Sequence, residues 1–284
     1  MLANLLQRHV TRRPNDQALI DSGRVISHAE FDVLVRKTAA WLSAQGVIAG
    51  DRVAVCLVNR PEWLTLLFGL ARIGASLVAV NTRFRSAELE YVVERSGARL
   101  LVLQHNFRKI DFPAVLAGAR PAAFRAIDRV AVVDADASTP TAIAGKPVVA
   151  FDAFERASPE QIARSDPNAI AAMFTTSGTT KGPKLVMHTQ RTIAFHARHV
   201  ATGFGLTEPG ARLLGGLPLC GVYGFDSTLG AMTAGAPVVL MDTFDGVAAA
   251  QWVRAERITH MFGAEEVCRP TVRSTRQPIC LTTA

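Results

Sequence analysis

Residues 53–62 read VAVCLVNRPE, and residues 63–80 continue WLTLLFGLARIGASLVAV. The run at 53–58 has no polar alternation, which marks a strand buried on both faces. Asn59-Arg60-Pro61-Glu62 reads as the next helix start, because proline is tolerated in a helix's first turn. That helix is expected to reach about Ile73, and 75–80 is another apolar strand. Helices alternating with short, continuously apolar strands build a mostly parallel sheet covered on both faces, so the fold class is α/β.

The alternation extends in both directions. Upstream, Ser27-His28-Ala29-Glu30 is a capping-box pattern. Phe31, Leu34, Val35, Thr38 and Leu42 follow at helical spacing, and Gly46 is placed to end the helix. Downstream, a helix opens at Ser86 and closes at Gly97, and strands follow at 99–104 and 129–134. Residues 118–168, rich in Ala, Pro and Asp, read as a surface connection between two lobes. Beyond Asp166-Pro167 come a strand at 168–176, its hairpin partner at 184–189 and a helix at 190–204. A strand and turn at 213–220, a strand at 236–241 and a helix at 247–258 complete the series. The expected organisation is a first α/β lobe over 1–165, a second over 166–264, and an atypical tail over 265–284. The tail holds two prolines and three arginines and shows no clean period.

The composition narrows the function. With 284 residues, 49% hydrophobic and 19% charged, a largely disordered chain is excluded. The net charge of +7 is scattered. Its densest basic patch, Arg8-His9 to Arg12-Arg13, has no interleaved aromatics, so no nucleic-acid partner is expected. A mild positive field suits a nucleotide-like polyanion. Cysteines at 56, 220, 268 and 280 form no CxxC pair and read as reduced thiols of a cytoplasmic protein. The N-terminus has no signal-peptide pattern. The most apolar stretches, interrupted by Arg72 and Asp226, do not read as membrane spans.

The densest chemistry lies at 174–184, FTTSGTTKGPK. Gly178 and Gly182 permit close backbone approach to a ligand. Thr175, Thr176, Ser177, Thr179 and Thr180 offer hydroxyl donors. Lys181 and Lys184 bring positive charge, and Pro183 stiffens the exit. A phosphate cradle uses these parts, and so does a flexible polar hairpin. The stretch is neither a Walker A loop nor a Rossmann fingerprint, and no GxSxG elbow makes Ser177 a hydrolase nucleophile.

The stretch from Thr176 to Lys184 resembles the signature of the AMP-forming adenylating enzymes, among them the acyl- and aryl-CoA synthetases. The usual pattern there is TSGTTGxPKG. Here Lys181 and Gly182 stand in exchanged order, and Leu185 replaces the final Gly. Gly69 to Ala75, then Val78 to Asn81 and Glu88-Leu89, is similar to a second region of that family. Leu217-Pro218-Leu219-Cys220-Gly221-Val222-Tyr223-Gly224 resembles its PLFHxxG stretch, with Cys220-Gly221 where Phe-His is usual. Gly235 to Leu240 follows in order. The resemblance runs over about residues 1–264.

The resemblance implies the two mainly parallel α/β lobes of the large N-terminal domain of acyl-CoA synthetase-like enzymes, in incomplete form. It implies a ligase that joins a carboxylic acid to ATP, releases pyrophosphate and passes the acyl group to a thiol, with coenzyme A as the usual acceptor. Mg2+ would neutralise the leaving pyrophosphate. By the same resemblance Thr176, Ser177, Gly178, Thr179, Thr180, Lys181, Gly182 and Lys184 hold the ATP phosphates, with Lys184 the fixed catalytic cation. Cys220, Gly221, Val222, Tyr223 and Gly224 would border the acid pocket. The family's Tyr-Gly-x-Thr-Glu and Thr-Gly-Asp segments and its adenylation lysine are absent, and the match fades near Gly263-Ala264-Glu265-Glu266. The expectation is therefore a truncated product with little ATP–pyrophosphate exchange that self-associates through exposed apolar surface. The alternative is a catalytically incomplete fragment that at most binds nucleotide phosphates. His196 and His199, three apart on an expected helix, have no carboxylate close in sequence and suggest no metal site. His188 reads as a residue lining the site or as a surface or packing residue, and Asp226 as standing near the pocket rim or as solvated.

Overall fold

The computed structural model describes residues 1–104, 107, 112–158, 166–176, 184–263 and 280–282. Its strands in chain order are β1 (Gln17–Asp21), β2 (Arg24–Ser27), β3 (Arg52–Cys56), β4 (Ser76–Ala79), β5 (Leu100–Gln104), β6 (Arg129–Val133), β7 (Ala142–Ile143), β8 (Lys146–Ala150), β9 (Ile170–Thr176), β10 (Lys184–Thr189), β11 (Leu213–Gly215), β12 (Val238–Leu240), β13 (His260–Phe262) and β14 (Cys280–Thr282). The α-helices are α1 (Gln7–Arg12), α2 (His28–Ala44), α3 (Pro61–Ile73), α4 (Ser86–Ser96), α5 (Phe112–Ala117), α6 (Ala153–Arg156), α7 (Gln190–Gly203), α8 (Val222–Ala234) and α9 (Gly246–Ala255). The chain divides into two compact units, residues 1–33, 58–64 and 191–284, and residues 34–57 and 65–190.

The unit of residues 34–57 and 65–190 holds a sheet ordered β10-β9-β4-β3-β5-β6-β8-β7. Its interior pairs are parallel, and only the two edges, β9–β10 and β7–β8, are antiparallel. β4 and β5 are buried at every position. This explains their unbroken apolar sequence, because helices must cover both faces of a parallel sheet. The edge strand β10 is exposed at Lys184, Val186 and Met187.

Two sequence expectations change here. Residues 118–168 do not form a surface connection. They contribute β6, β7 and β8 to the sheet, and Phe124, Ile127 and Ala153 are buried. The segment after β8 is pinned as well, since Trp41 Nε1 donates to Asp152 Oδ1 at 3.0 Å and Lys37 Nζ to the Phe154 carbonyl at 2.7 Å. The division into units also does not follow the lobes drawn at 1–165 and 166–264. β9 pairs with β4 and β10 with β9, so both strands belong to the sheet of the earlier strands.

The other unit's sheet runs β14-β13-β11-β12-β1-β2 and is parallel apart from the β1–β2 hairpin. Ser22 and Gly23 turn that hairpin with φ of 49° and 85°, the left-handed geometry that matches strand twist. α1 serves the far end of α8. The last carbonyls of a helix lack intrahelical donors. Here Arg8 Nη2 donates to the Thr233 carbonyl at 3.3 Å, His9 Nε2 to the same oxygen at 2.8 Å, and Arg13 Nη2 to the Ala234 carbonyl at 3.3 Å. Basic groups at a helix C-terminus also complement its dipole. Gly235 closes α8 at φ 79°, where a Cβ would strike Arg13 and His9.

Helix ends follow the sequence closely. The Glu30 amide donates to Ser27 Oγ at 3.1 Å, as the capping pattern requires. Gly97 ends α4 at φ 60°. α4 begins at Ser86, as expected. Ser86 Oγ turns to the Val115 carbonyl at 2.7 Å, and the helix is capped by Glu88, which accepts from the Arg85 amide at 2.8 Å.

Candidate functional site

β9 leaves the buried sheet at its last two residues, Thr175 and Thr176. β10 returns antiparallel, with Lys184 opposite Thr176, Leu185 opposite Thr175 and Val186 opposite Phe174. Directly opposite residues of an antiparallel pair present their side chains on the same face, so Thr176 and Lys184 share one face where the two strands end. Lys184 is exposed and has no carboxylate partner among the described residues. A cation beside hydroxyl donors, without a competing anion, fits phosphate oxygens. Ser177, Gly178, Thr179, Thr180, Lys181 and Gly182, which sequence assigned to the same cradle, lie outside the described residues. His188 packs edge-on against Phe174, ring centres 5.9 Å apart. Among the described residues no three His, Cys, Asp or Glu stand together. No ligands for Mg2+ are assigned.

The second cluster is the turn from β11 into α8. Cys220 is buried, Gly221 is the N-cap of α8 and its amide donates to the Pro218 carbonyl at 3.0 Å, and Gly224 is buried. Val222 and Tyr223 stand exposed on the first turn. Gly224 touches backbone, because a Cβ there would strike the Pro218 carbonyl and lie 2.6 Å from that of Leu217. Asp226 is not merely solvated. Its Oδ2 meets His196 Nε2 at 3.1 Å, so the carboxylate missing near His196 in sequence is supplied by α8.

Asn59 was read only as part of a helix start, yet it holds this turn. Its Nδ2 donates to the Gly215 carbonyl at 3.0 Å and the Leu217 carbonyl at 2.7 Å, and its Oδ1 accepts from the Leu219 amide at 2.8 Å. A buried amide placed directly after an apolar strand was the one available signal, since buried polar groups require partners. Asn59→Ala is expected to lower stability by about 2 kcal/mol, because buried backbone groups lose their partners. Urea unfolding measures this, and an unchanged midpoint would refute the role.

A family model described as AMP-binding enzyme matches residues 6–280. The match passes Glu266, where the sequence reading had the resemblance fade, so the arginine-rich segment up to 280 belongs to the matched region. The chain is 28% identical over 256 residues to a 2-succinylbenzoate–CoA ligase of Bacillus licheniformis, covering 90% of this chain and 48% of the relative. It is 26% identical to the long-chain-fatty-acid–CoA ligase FadD13 of Mycobacterium tuberculosis, covering 89% and 48%. The chain thus spans about half the length of these relatives. The solved structure of Mycobacterium smegmatis MbtA superposes with a TM-score of 0.82 at 27% identity, covering 96% of this chain and 50% of that one.

Proposed function

We propose that this chain, which belongs to the AMP-binding enzyme family, carries the phosphate-holding part of an AMP-forming ligase that activates a carboxylic acid with ATP. The product would be an acyl-adenylate, and coenzyme A the thiol that takes the acyl group. The observation that carries this reading is the hairpin that sets Lys184 opposite Thr176, with the hydroxyl- and glycine-rich residues 177–183 joining the two strands.

The reaction is in-line attack of a carboxylate on the α-phosphorus, so catalysis rests on positioning and charge neutralisation. Lys184 would hold charge at the β- and γ-phosphates, and Thr176 would orient a phosphate oxygen. A charge-assisted contact is worth about 1.5–3 kcal/mol. Cys220, Gly221, Val222, Tyr223 and Gly224 are proposed to border the acid. Among relatives, one acts on an aromatic acid and another on long-chain fatty acids. Among the described residues no helix is long and apolar enough to cross a membrane. Cys56 and Cys220 are buried thiols, which suits a cytoplasmic setting.

Lys184→Ala is expected to weaken binding of a fluorescent ATP analogue by about tenfold or more, as loss of one such contact demands. Affinity unchanged by the substitution would overturn the assignment. Carboxylate-dependent ATP–pyrophosphate exchange then separates the ligase from a fragment that only binds nucleotide phosphates. Exchange above background, lost in Lys184→Ala, removes the fragment reading. ATP binding without exchange removes the ligase reading for this chain.

A further inference from the structure

Two clefts adjoin in the unit of residues 1–33, 58–64 and 191–284, and neither has β9 or β10 in its walls. One encloses about 710 Å3 and the other about 410 Å3, and they share Thr207 and Ala234. Gln17 opens β1, Arg212 stands directly before β11 and Pro237 directly before β12, and all three line the larger cleft. These strands are parallel, so the cleft lies at their amino ends. Open α/β sheets take their substrates beyond the carboxyl ends of the strands. A ligand held here is therefore a second one.

The smaller cleft is basic. Arg8 of α1 and Arg198 of α7 line it, and no carboxylate does. Arg198 has no acidic partner among the described residues. Arg8 spends Nη2 on the Thr233 carbonyl at 3.3 Å, and its other N–H groups remain for a ligand. The Thr207 hydroxyl has no partner among the described residues. Two guanidiniums and a hydroxyl suit a phosphate monoester, which carries a charge of about −1.5 to −2 at neutral pH.

The larger cleft supplies acceptors. Gln17 Oε1 is buried and has no hydrogen-bond partner among the described residues, and a buried acceptor calls for a donor. Asp16 and Glu208 add carboxylates. Glu208 has no basic partner among the described residues, and Asp16 meets Arg13 only at 3.9 Å. The cations of this wall are engaged elsewhere. Arg212 pairs with Glu256 at 3.0 Å, and Arg13 reaches the Ala234 carbonyl at 3.3 Å and His9 Nδ1 at 2.9 Å. The wall thus suits a body that carries several hydroxyl donors. No aromatic ring lines either cleft, so nothing here stacks a nucleobase.

We infer that the paired clefts bind a phosphorylated sugar, its phosphate between Arg8 and Arg198 and its hydroxyls against Gln17, Asp16 and Glu208. The site is separate from the phosphate hairpin and does not rest on the ligase reading. Both clefts fall in the size range of small-molecule sites. Their polar walls disfavour an apolar ligand, which would leave Gln17 Oε1 and the carboxylates without donors.

The test uses the 284-residue chain, with glucose 6-phosphate, glucose and inorganic phosphate as probes and isothermal titration calorimetry as the readout. Glucose 6-phosphate is expected to bind about fivefold more tightly than inorganic phosphate, the value of one net hydrogen bond. Glucose should bind at least about tenfold more weakly than its phosphate, because it lacks the charge-assisted contacts. Arg198→Ala should weaken both phosphates about tenfold. Its side chain is exposed, so the urea midpoint should not move and the loss is one of binding. Glu208→Ala should narrow the gap between glucose 6-phosphate and inorganic phosphate. Lys184→Ala should leave both affinities unchanged, and a loss in that variant would put the ligand at the hairpin and overturn the inference. No binding of glucose 6-phosphate, an affinity indifferent to Arg198→Ala, or a gap indifferent to Glu208→Ala would also overturn it. So would binding of phosphatidylglycerol vesicles, lost in Arg198→Ala, without binding of glucose 6-phosphate, since the occupant would then be a lipid headgroup.

Discussion

Gly224→Ala is expected to lower the unfolding free energy by about 3 kcal/mol, the upper end of what overpacking costs. The added methyl would strike the Pro218 carbonyl and stand 2.6 Å from the Leu217 carbonyl. Both obstacles are main chain, so no side chain can swing away. The same two oxygens are already used, one by the Gly221 amide at 3.0 Å and the other by Asn59 Nδ2 at 2.7 Å. Moving them to admit the methyl breaks the turn that presents Val222 and Tyr223. Gly221→Ala is the matched control. Its Cβ would sit 3.4 Å from the Pro218 carbonyl, and its φ of −107° is ordinary for any residue. That variant should stay within about 1 kcal/mol of the wild type. Urea melts of the three proteins decide the matter, and a Gly224→Ala midpoint equal to that of Gly221→Ala would refute the steric account.

What could be read in the sequence follows from how local its causes are. β3 to β6 were legible because parallel strands buried on both faces write themselves as unbroken apolar runs, and α3 and α4 were read between them, whereas α5 was not. α2 and α4 declared their ends through Ser27 and Gly97. The walls of the hairpin were read at the right residues, Thr176 and Lys184, because hydroxyls, glycines and lysines crowd between two apolar runs. The opposite holds for β1, whose five residues lie between polar turns and whose parallel partner is β12, more than two hundred residues away. Asn59 finds its acceptors 156 and 158 residues downstream, and nothing local announces them. His196 and Asp226 are 30 residues apart. A search for a carboxylate along the chain misses a partner that only the packing of two helices supplies. The sheet edges β7 and β8 escaped for a different reason. Edge strands need less apolar sequence, so proline and alanine around them read as a connection.

Lowering the pH from 7 to 4.5 is expected to cost this chain about 2–3 kcal/mol of stability through His28 alone. His28 is 2% exposed, its ring is stacked 5.1 Å from that of His9, and its Nε2 has no hydrogen-bond partner among the described residues. Burial pushes its pKa from 6.5 to about 4, and the neighbouring His9 and Arg13 add to the effect while Asp16 opposes it. His9 is held neutral by geometry. Arg13 can only donate, so His9 Nδ1, 2.9 Å from Arg13 Nη2, must accept, and Nε2–H is left to donate to the Thr233 carbonyl. Burial, then the charges of Arg13 and Arg8, lower the His9 pKa against the Thr233 carbonyl, which raises it. In both histidines the depressed value means that the unfolded chain takes up protons first. Stability is therefore full above about pH 6.5 and falls as the pH drops toward 4. Asp21 works in the opposite sense, since burial and the Glu62 charge raise its carboxyl pKa, but it is common to wild type and variant. In His28→Leu the loss between pH 7 and 4.5 should shrink by about 2 kcal/mol, and denaturant unfolding at the two pH values reads the difference. If wild type and His28→Leu lose stability in parallel, the buried imidazole pair is not what makes this end of α8 acid-sensitive.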